Sequence, residues 1–594
     1  MKYEITLIQN EMKKEGIAAY VVPSDDYHGS EYVGAFFKCR EFLSGFTGSA
    51  GTLLITENEA FLWTDGRYFI QAEEELKGTD IKLMRMGEEN VPTITQKLKE
   101  LAKESKVYVV GFDGGVVSYG FGKSVLSCAS NIKIKDISII DRVWNDRPPM
   151  ACEKVFELDV KYAGEYRSSK LTRVRKAMEK EGVDELFITS LDDIAWLFNL
   201  RGSDIPCNPV FLAYAKVTKD KAFIFTDKSR FDEALSLDIT RDGVIIEDYG
   251  NMIQHIKSLP GTSKIWVDEQ KMSYSLTVSI PEGVKVTDKM LPTVLMKAVK
   301  NKTEMKNIRD SHLKDGVAVT KFLYWLKTNI GKEEITELDC VNKIEELRNE
   351  QDLYVGPSFD TIAAFGAHGA IVHYEPTEET NIPLKAESLA LFDTGGQYLD
   401  GTTDITRTVA LGPLTKEEKK YFTLVLKGHL NLAAAKFKKG CTGMTLDYIA
   451  RSPLWELGED YNHGTGHGVG FFLNVHEAPN GFRYKKVPER DDGAVFEEGM
   501  LTSDEPGYYA EGKFGIRHEN LLLCVNDRKT PYGEYLKFET VTLVPFDLDG
   551  IDKKLLTDKE KELLNAYHKR VYEKLKPYLT KEEGAWLEKA TRAI

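Results

Sequence analysis

Apolar residues recur along this chain with two periods, and the switches between them outline its elements. The amphipathic pattern ending in Met12-Lys-Lys-Glu-Gly16-Ile17 predicts a helix, followed by the strand-like run Ala19-Tyr20-Val21-Val22. The same order returns at Met178-Glu-Lys-Glu-Gly182-Val183 and Leu186-Phe187-Ile188-Thr189. Further matches follow in the same order, with loop insertions between them: Asp25-Asp26 with Asp192-Asp193, Phe46-Thr47-Gly48 with Leu200-Arg201-Gly202, and Thr64-Asp65-Gly66-Arg67 with Thr226-Asp227-Lys228-Ser229-Arg230. Four ordered matches outweigh a chance likeness of two helix ends and predict an internal duplication of α/β or α+β character. Pro148-Pro149 marks the junction between the copies, and Leu291-Pro292-Thr293 marks a second.

Beyond that second junction the pattern lengthens. Val317, Val319, Phe322, Leu323 and Leu326 form an apolar stripe that predicts a helix over Glu304–Lys327, and further helices are expected over Thr336–Arg348 and Lys416–Lys436. The tail carries two capping-box patterns, Thr557-Asp-Lys-Glu560 and Thr580-Lys-Glu-Glu583, and predicts two helices without chemistry of their own. The expected domains are residues 1–150, 151–298, 299–546 and a helical extension at 547–594.

The third domain holds the unusual residues. Ser388-Leu-Ala-Leu-Phe392 reads as a buried strand ending at Asp393, and the chain returns through Gly401 to Thr402-Thr-Asp404-Ile-Thr-Arg-Thr408. Period 2 places Thr402, Asp404, Thr406 and Thr408 on one face, and a hairpin return would set the two aspartates on neighbouring strands, about 5 Å apart. Such a pair needs a metal or a raised pKa. Taken singly, either aspartate could cap a turn. In His463-Gly-Thr-Gly-His467-Gly-Val-Gly470 the four-residue spacing invites comparison with a helical zinc motif, but each glycine costs a helix roughly 1 kcal/mol. The segment is expected to be extended, with His463 and His467 on one face and the glycines admitting another backbone. Glu505 ends the strand-like Met500–Asp504 before Pro506-Gly507; Arg517 and Glu519 share a face at i, i+2, a spacing that also suits a structural ion pair. His518 between them is turned the other way. The charged stretch 482–498 is expected at the rim of the cleft.

Seven of the eleven histidines lie between His368 and His518. Two aspartates, one histidine and two glutamates form a carboxylate-dominated set suited to Mn²⁺, Co²⁺ or catalytic Zn²⁺. Two ions roughly 3.5–4 Å apart, bridged by Asp404 and Glu519, would hold a nucleophilic hydroxide and support hydrolysis. The net charge of −14 opposes a nucleic-acid partner. Seven scattered cysteines without a CxxC fit a reducing compartment. The start lacks an apolar segment of the secretory type and no run nears the roughly 18 apolar residues of a membrane span, so a cytoplasmic protein is expected.

Asp393-Thr-Gly-Gly, Gly401-Thr-Thr-Asp404, His463-Gly-Thr-Gly-His467-Gly-Val-Gly, Val475-His476-Glu, Glu505-Pro-Gly-Tyr-Tyr509 and Gly515-Ile-Arg517-His-Glu519-Asn resemble, in order and interval, the Xaa-Pro aminopeptidases (aminopeptidase P) in their long three-domain form. The resemblance implies two creatinase-type N-terminal domains and a C-terminal pita-bread metallopeptidase domain. It implies Asp393, Asp404, His467, Glu505 and Glu519 as ligands of two divalent ions, Mn²⁺ in most relatives. It implies His373, His463 and His476 as catalytic histidines, Glu505 as the general base, and Arg517 and Tyr509 at substrate-side or supporting positions. Substrates would be peptides with proline second, and the enzyme a homodimer. A prolidase, a methionine aminopeptidase and a non-catalytic pita-bread peptide-binding module, such as the one in the large subunit of the FACT chaperone, share parts of the pattern. The three-domain layout opposes the first two, and the complete ligand set opposes the third.

Overall fold

A computed structural model describes residues 2–486 and 492–594, so residues 487–491 of the charged rim stretch lie outside the described residues. The chain divides into two compact units, the first comprising Met1–Leu158 and Glu165–Thr293, the second Asp159–Gly164 and Val294–Ile594.

The first unit holds the duplication. Helices Tyr3–Glu15 and Arg167–Glu181 each end on a glycine in the left-handed region, Gly16 at φ 66° and Gly182 at φ 74°. Beyond each glycine the next N–H reaches back to a methionine carbonyl: Ile17 to Met12 at 2.8 Å and Val183 to Met178 at 3.1 Å, closing a Schellman-type cap. Each copy then builds a six-stranded sheet. Numbered along its own copy, each sheet has the order 4-3-2-1-5-6. The first strands are Ala19–Pro23 and Glu185–Ile188; each runs antiparallel to its second strand and parallel to its fifth. The Lys/Glu-Gly helix ends of the sequence are therefore equivalent elements in two copies of one fold.

The second unit opens with helix Lys302–Asn329, whose N-cap Asn301 accepts from Thr303 and Glu304 while Glu304 reaches back to the Asn301 N–H. Helix Glu337–Asn349 starts from a Thr336 capping box, and the tail helices Asp558–Leu575 and Lys581–Ala590 start from the two boxes read in the sequence. One expectation is corrected. The helix from Lys416 stops at Ala433, and Lys436–Lys438 is a strand paired antiparallel with Tyr535–Lys537, because sheet pairing there satisfies the backbone that the helical pattern would have used internally.

Three layers of strand place the functional residues. Ile362–Phe365, Leu389–Thr394 and Ile405–Ala410 form one antiparallel sheet. A six-stranded sheet contains Gly466–Gly468, Glu477–Phe482, Leu501–Asp504 and Asn520–Thr530, and the ribbon Gly507–Ala510/Phe514–Arg517 stands beside them. Helix Lys302–Asn329 buries Ala318, Val319, Phe322, Leu323 and Leu326 in the core with Ala390, Phe392, Ile405 and Val409. Burying such side chains contributes about 1.5–3 kcal/mol each and makes the Asp393 strand a rigid mount.

The two helix caps supply a matched test. A Cβ at Gly16 or Gly182 would meet nothing within 4 Å, so only backbone strain opposes alanine. Gly16→Ala and Gly182→Ala are each expected to cost ~1 kcal/mol, read as similar falls in the denaturation midpoint.

Candidate metal centre

Asp393 lies on strand Leu389–Thr394, while Asp404 immediately precedes its antiparallel partner Ile405–Ala410. Asp393 pairs with Thr406, so Asp404 lies two residues before that pair and the two aspartates are not opposite each other. The chain between them forms Gly396–Tyr398 and Gly401–Thr402, which join a separate sheet with Tyr354–Pro357. Asp393 meets a cation the sequence reading had not assigned to it: Arg517 Nη2 lies 2.5 Å from Asp393 Oδ2. The other oxygen, Asp393 Oδ1, is buried and has no hydrogen-bond partner.

Thr406 links three of the predicted residues. Its hydroxyl accepts from Arg517 Nε at 3.2 Å and donates to Glu519 Oε2 at 2.7 Å. Arg517 therefore pairs directly with Asp393 and reaches Glu519 only through Thr406. The backbone closes the same corner: Glu519 N–H donates to Thr406 O at 3.1 Å, and Arg407 Nη1 donates to Glu519 O at 2.6 Å. Arg407 also donates from Nη2 to Tyr567 of the tail helix at 3.0 Å, so the C-terminal extension contacts the frame that holds Glu519. Sequence reasoning missed Arg407 and Tyr567. Thr406 was visible only as a face-sharing neighbour of Asp404.

The glycine-rich segment behaves as its composition requires. Only Gly466–Gly468 is a strand, and a Cβ at Gly466 would lie 1.9 Å from Ser503 O, one at Gly468 2.2 Å from Glu477 O. Neighbouring strands thus pass at distances no side chain allows. Ser503 Oγ accepts from the His467 N–H at 3.0 Å and donates to Glu505 Oε1 at 3.1 Å, while the Glu505 N–H donates to Thr465 O at 2.8 Å.

His467 fixes the character of the pocket. Its Nδ1 donates to Gly468 O at 2.9 Å, which turns Nε2 toward Asp404 Oδ2 at 3.4 Å and Glu505 Oε1 at 3.3 Å. A bare Nε2 lone pair facing two carboxylates is repelled, so a proton or a cation belongs in that gap. Without a cation the proton wins: burial opposes it, but Asp404 and Glu505 hold the His467 pKa up at about 9. Burial raises Asp404 and Glu505 above the carboxylate range, and raises Glu519 far above it, with neighbouring carboxylates adding to each shift. Donor atoms of Asp404, His467 and Glu519 all lie within 4.8 Å of one another. A histidine anchored through its other nitrogen to a carbonyl, a carboxylate oxygen without a partner, and carboxylates crowded above their ordinary pKa fit divalent ions.

His463 lies outside the strand Gly466–Gly468, so the shared face expected from period 2 does not extend to it. Arg517 Nη1 donates to Tyr509 Oη at 2.7 Å, leaving the tyrosine proton for His463 Nε2 at 2.8 Å; His463 Nδ1 donates to Gly464 O at 2.7 Å. The imidazole is the neutral Nδ1–H form, and burial followed by the Arg517 charge pushes its pKa well below the usual value. His476 is half-buried, its ring perpendicular to that of His467 with centroids 4.2 Å apart. His373 is half-buried in the turn after the 3₁₀ helix Gly366–Ala370, where Gly369 packs on Gly515 of the Arg517 strand. His518 faces away, Nε2 3.2 Å from Phe422 O.

Family comparisons agree with this arrangement. "Creatinase/Prolidase N-terminal domain" matches residues 5–143 and again 146–304, "Metallopeptidase family M24" matches 306–526, and "C-terminal region of peptidase M24" matches 534–594. A probable Xaa-Pro aminopeptidase P of Laccaria bicolor is 41% identical over 97% of this chain and 91% of its own length. Aminopeptidase P1 of Arabidopsis thaliana is 37% identical over 97% of this chain and 96% of its own. The crystal structure of X-prolyl aminopeptidase from Caenorhabditis elegans, described as a cytosolic enzyme with a di-nuclear active site, is 36% identical, with a TM-score of 0.92 over 97% of this chain and 95% of its own. Fold and pocket together define a metallopeptidase with two creatinase-type domains ahead of a pita-bread domain. Within that class the chain belongs to the Xaa-Pro aminopeptidases, which are metal-dependent aminopeptidases using two divalent ions.

The metal-free pocket has a predictable pH response. His467 and the three carboxyls all have folded pKa values above their unfolded ones, so their contribution is fully present below the unfolded values and is lost as pH rises through the folded ones. Between pH 6.5 and about 9 the chelated protein should lose thermal stability through His467, and divalent metal should suppress that loss, since metal binding favours the deprotonated ligands. Equal slopes with and without metal in thermal scans would contradict it.

Proposed function

We propose that this chain releases the first residue from peptides with proline in second position, using two divalent ions that Asp393, Asp404, His467, Glu505 and Glu519 would hold. The observation that carries this reading is His467 Nε2, aimed at two carboxylates 3.4 and 3.3 Å away while Nδ1 is committed to a carbonyl. We take the metal to be Mn²⁺, as the family resemblance implies; the carboxylate-dominated set also admits Zn²⁺ or Co²⁺. The proposed extents are 1–150 and 151–298 for the creatinase-type domains, 299–546 for the catalytic domain and 547–594 for its extension. We place the enzyme in the cytoplasm as a homodimer, with neither nucleic acid nor membrane as partner. The net charge of −14 opposes a nucleic-acid partner, and among the described residues no helix is long and apolar enough to cross a membrane.

Bound ions supply Lewis acidity toward the scissile carbonyl and bring water within reach of deprotonation near neutral pH. Glu505, its pKa raised by burial, takes the proton of the attacking water. The proline nitrogen carries no N–H in the peptide and must gain a proton to leave, delivered through Glu505 or a neighbouring histidine. His476 donates to the carbonyl oxygen as charge builds there. His373 and His463 border the peptide. His463 acts as a neutral group because Tyr509 occupies its Nε2, and Arg517 holds both Tyr509 and Asp393 in place.

Mn²⁺-loaded protein offered an Xaa-Pro-Yaa peptide, an Xaa-Pro dipeptide and a Met-Ala peptide should release the first residue only from the longer proline peptide. Cleavage of the dipeptide alone would make the enzyme a prolidase. Glu505→Gln should retain metal and lower kcat by about 10²–10⁴-fold; near-normal turnover would remove Glu505 from the proton path.

A further inference from the structure

Among the buried charged clusters that the chemistry above does not use, the one formed by Lys297, Lys300 and Glu477 adjoins His476. Lys297 and Lys300 precede helix Lys302–Asn329, and both end on the carboxylate of Glu477: Lys297 Nζ lies 3.0 Å from Oε2, and Lys300 Nζ bonds Oε1. All three side chains are at most 6% exposed. Burial works against charge on Glu477, yet the two ammonium groups hold it below the ordinary carboxylate range. The buried Glu304 also acts on the Lys300 charge, so two carboxylates face the two ammonium groups, and taking an ammonium group out of water costs several kcal/mol.

The location of Glu477 accounts for the investment. It directly follows His476 and begins the strand Glu477–Phe482, pairing with Gly468 next to His467. Its carbonyl lies so close to Gly468 that no Cβ fits between the strands. Lys300 is itself immobilised, since its N–H donates to Gly499 O at 3.1 Å, and Gly499, at φ 100°, would carry a Cβ 2.5 Å from Lys300 O. A rigid backbone point is thereby joined through the Lys300 and Glu477 side chains to the residue that follows His476, whose ring stands against that of His467.

We propose that Lys297 and Lys300 are positioning residues for the reaction, holding His476 over His467 through the Glu477 carboxylate. This rests on the reading of His476 as the donor to the scissile carbonyl. Because both lysines end on Glu477, either can be removed while its carboxylate keeps a partner: Lys300→Met leaves the Lys297–Glu477 pair, and Lys297→Met leaves the Lys300–Glu477 pair.

The test measures kcat, KM and bound metal for Lys300→Met, His476→Ala and the double variant, on an Xaa-Pro-Yaa peptide with metal-loaded full-length enzyme. Lys300→Met is expected to lower kcat by about 10-fold with metal content unchanged and KM little altered. Added to His476→Ala it should cost nothing further, because both act through one group. Multiplying losses in the double variant, or an unchanged kcat in Lys300→Met, would overturn the proposal. An unchanged kcat in His476→Ala would instead overturn the role of His476. Should Lys300→Met fail to fold, Lys297→Met reads the same strut.

Discussion

Crowding Asp393, Asp404, Glu505 and Glu519 into one pocket sets negative charges against each other where water screens them poorly, and much of the catalytic unit is arranged around that repulsion. Arg517 neutralises Asp393 directly and steadies Glu519 through the Thr406 hydroxyl. His467 turns its free nitrogen into the remaining gap. What these groups leave unbalanced is a demand for cations, so metal affinity and the elevated carboxyl pKa values are two consequences of the same geometry.

Holding such a pocket open requires backbone placed more tightly than side chains permit. Gly466 and Gly468 let the His467 strand lie against Ser503 O and Glu477 O, and Gly515 abuts the carbonyl of Gly369 below the Arg517 strand. These contacts lock the strands in register, so the ligands stay apart despite being drawn to, or repelled by, their neighbours. Fixed charges then do the finer alignment: Arg407 on the Glu519 carbonyl, and the lysine pair on Glu477.

Histidine density was a guide to the region more than to the chemistry. Of the seven histidines between His368 and His518, three serve the frame. His368 bonds Glu337, His518 faces Phe422 O, and His429 spans Asp504 and Asn520, the neighbours of two pocket glutamates. Their sequence surroundings do not distinguish them from His467, because a histidine's role depends on which groups its two ring nitrogens meet.

Helix caps, strand periods and the internal duplication were legible in the chain because they arise from residues a few positions apart. A capping box needs only residues i and i+3, and a left-handed glycine ends a helix by local sterics. That the glycine-rich segment is not helical was likewise readable, although only Gly466–Gly468 of it is a strand, and the donor types already indicated hard cations. Partnership across the fold was not readable. Asp393 and Arg517 are 124 positions apart, and no local rule chooses that pairing over the i, i+2 neighbour Glu519. The diagonal offset of Asp404 from Asp393, the diversion of His463 to Tyr509, and the contact of Tyr567 with Arg407 follow from strand register and from how layers pack. Those are settled only when the hydrophobic faces of the whole catalytic unit are buried together.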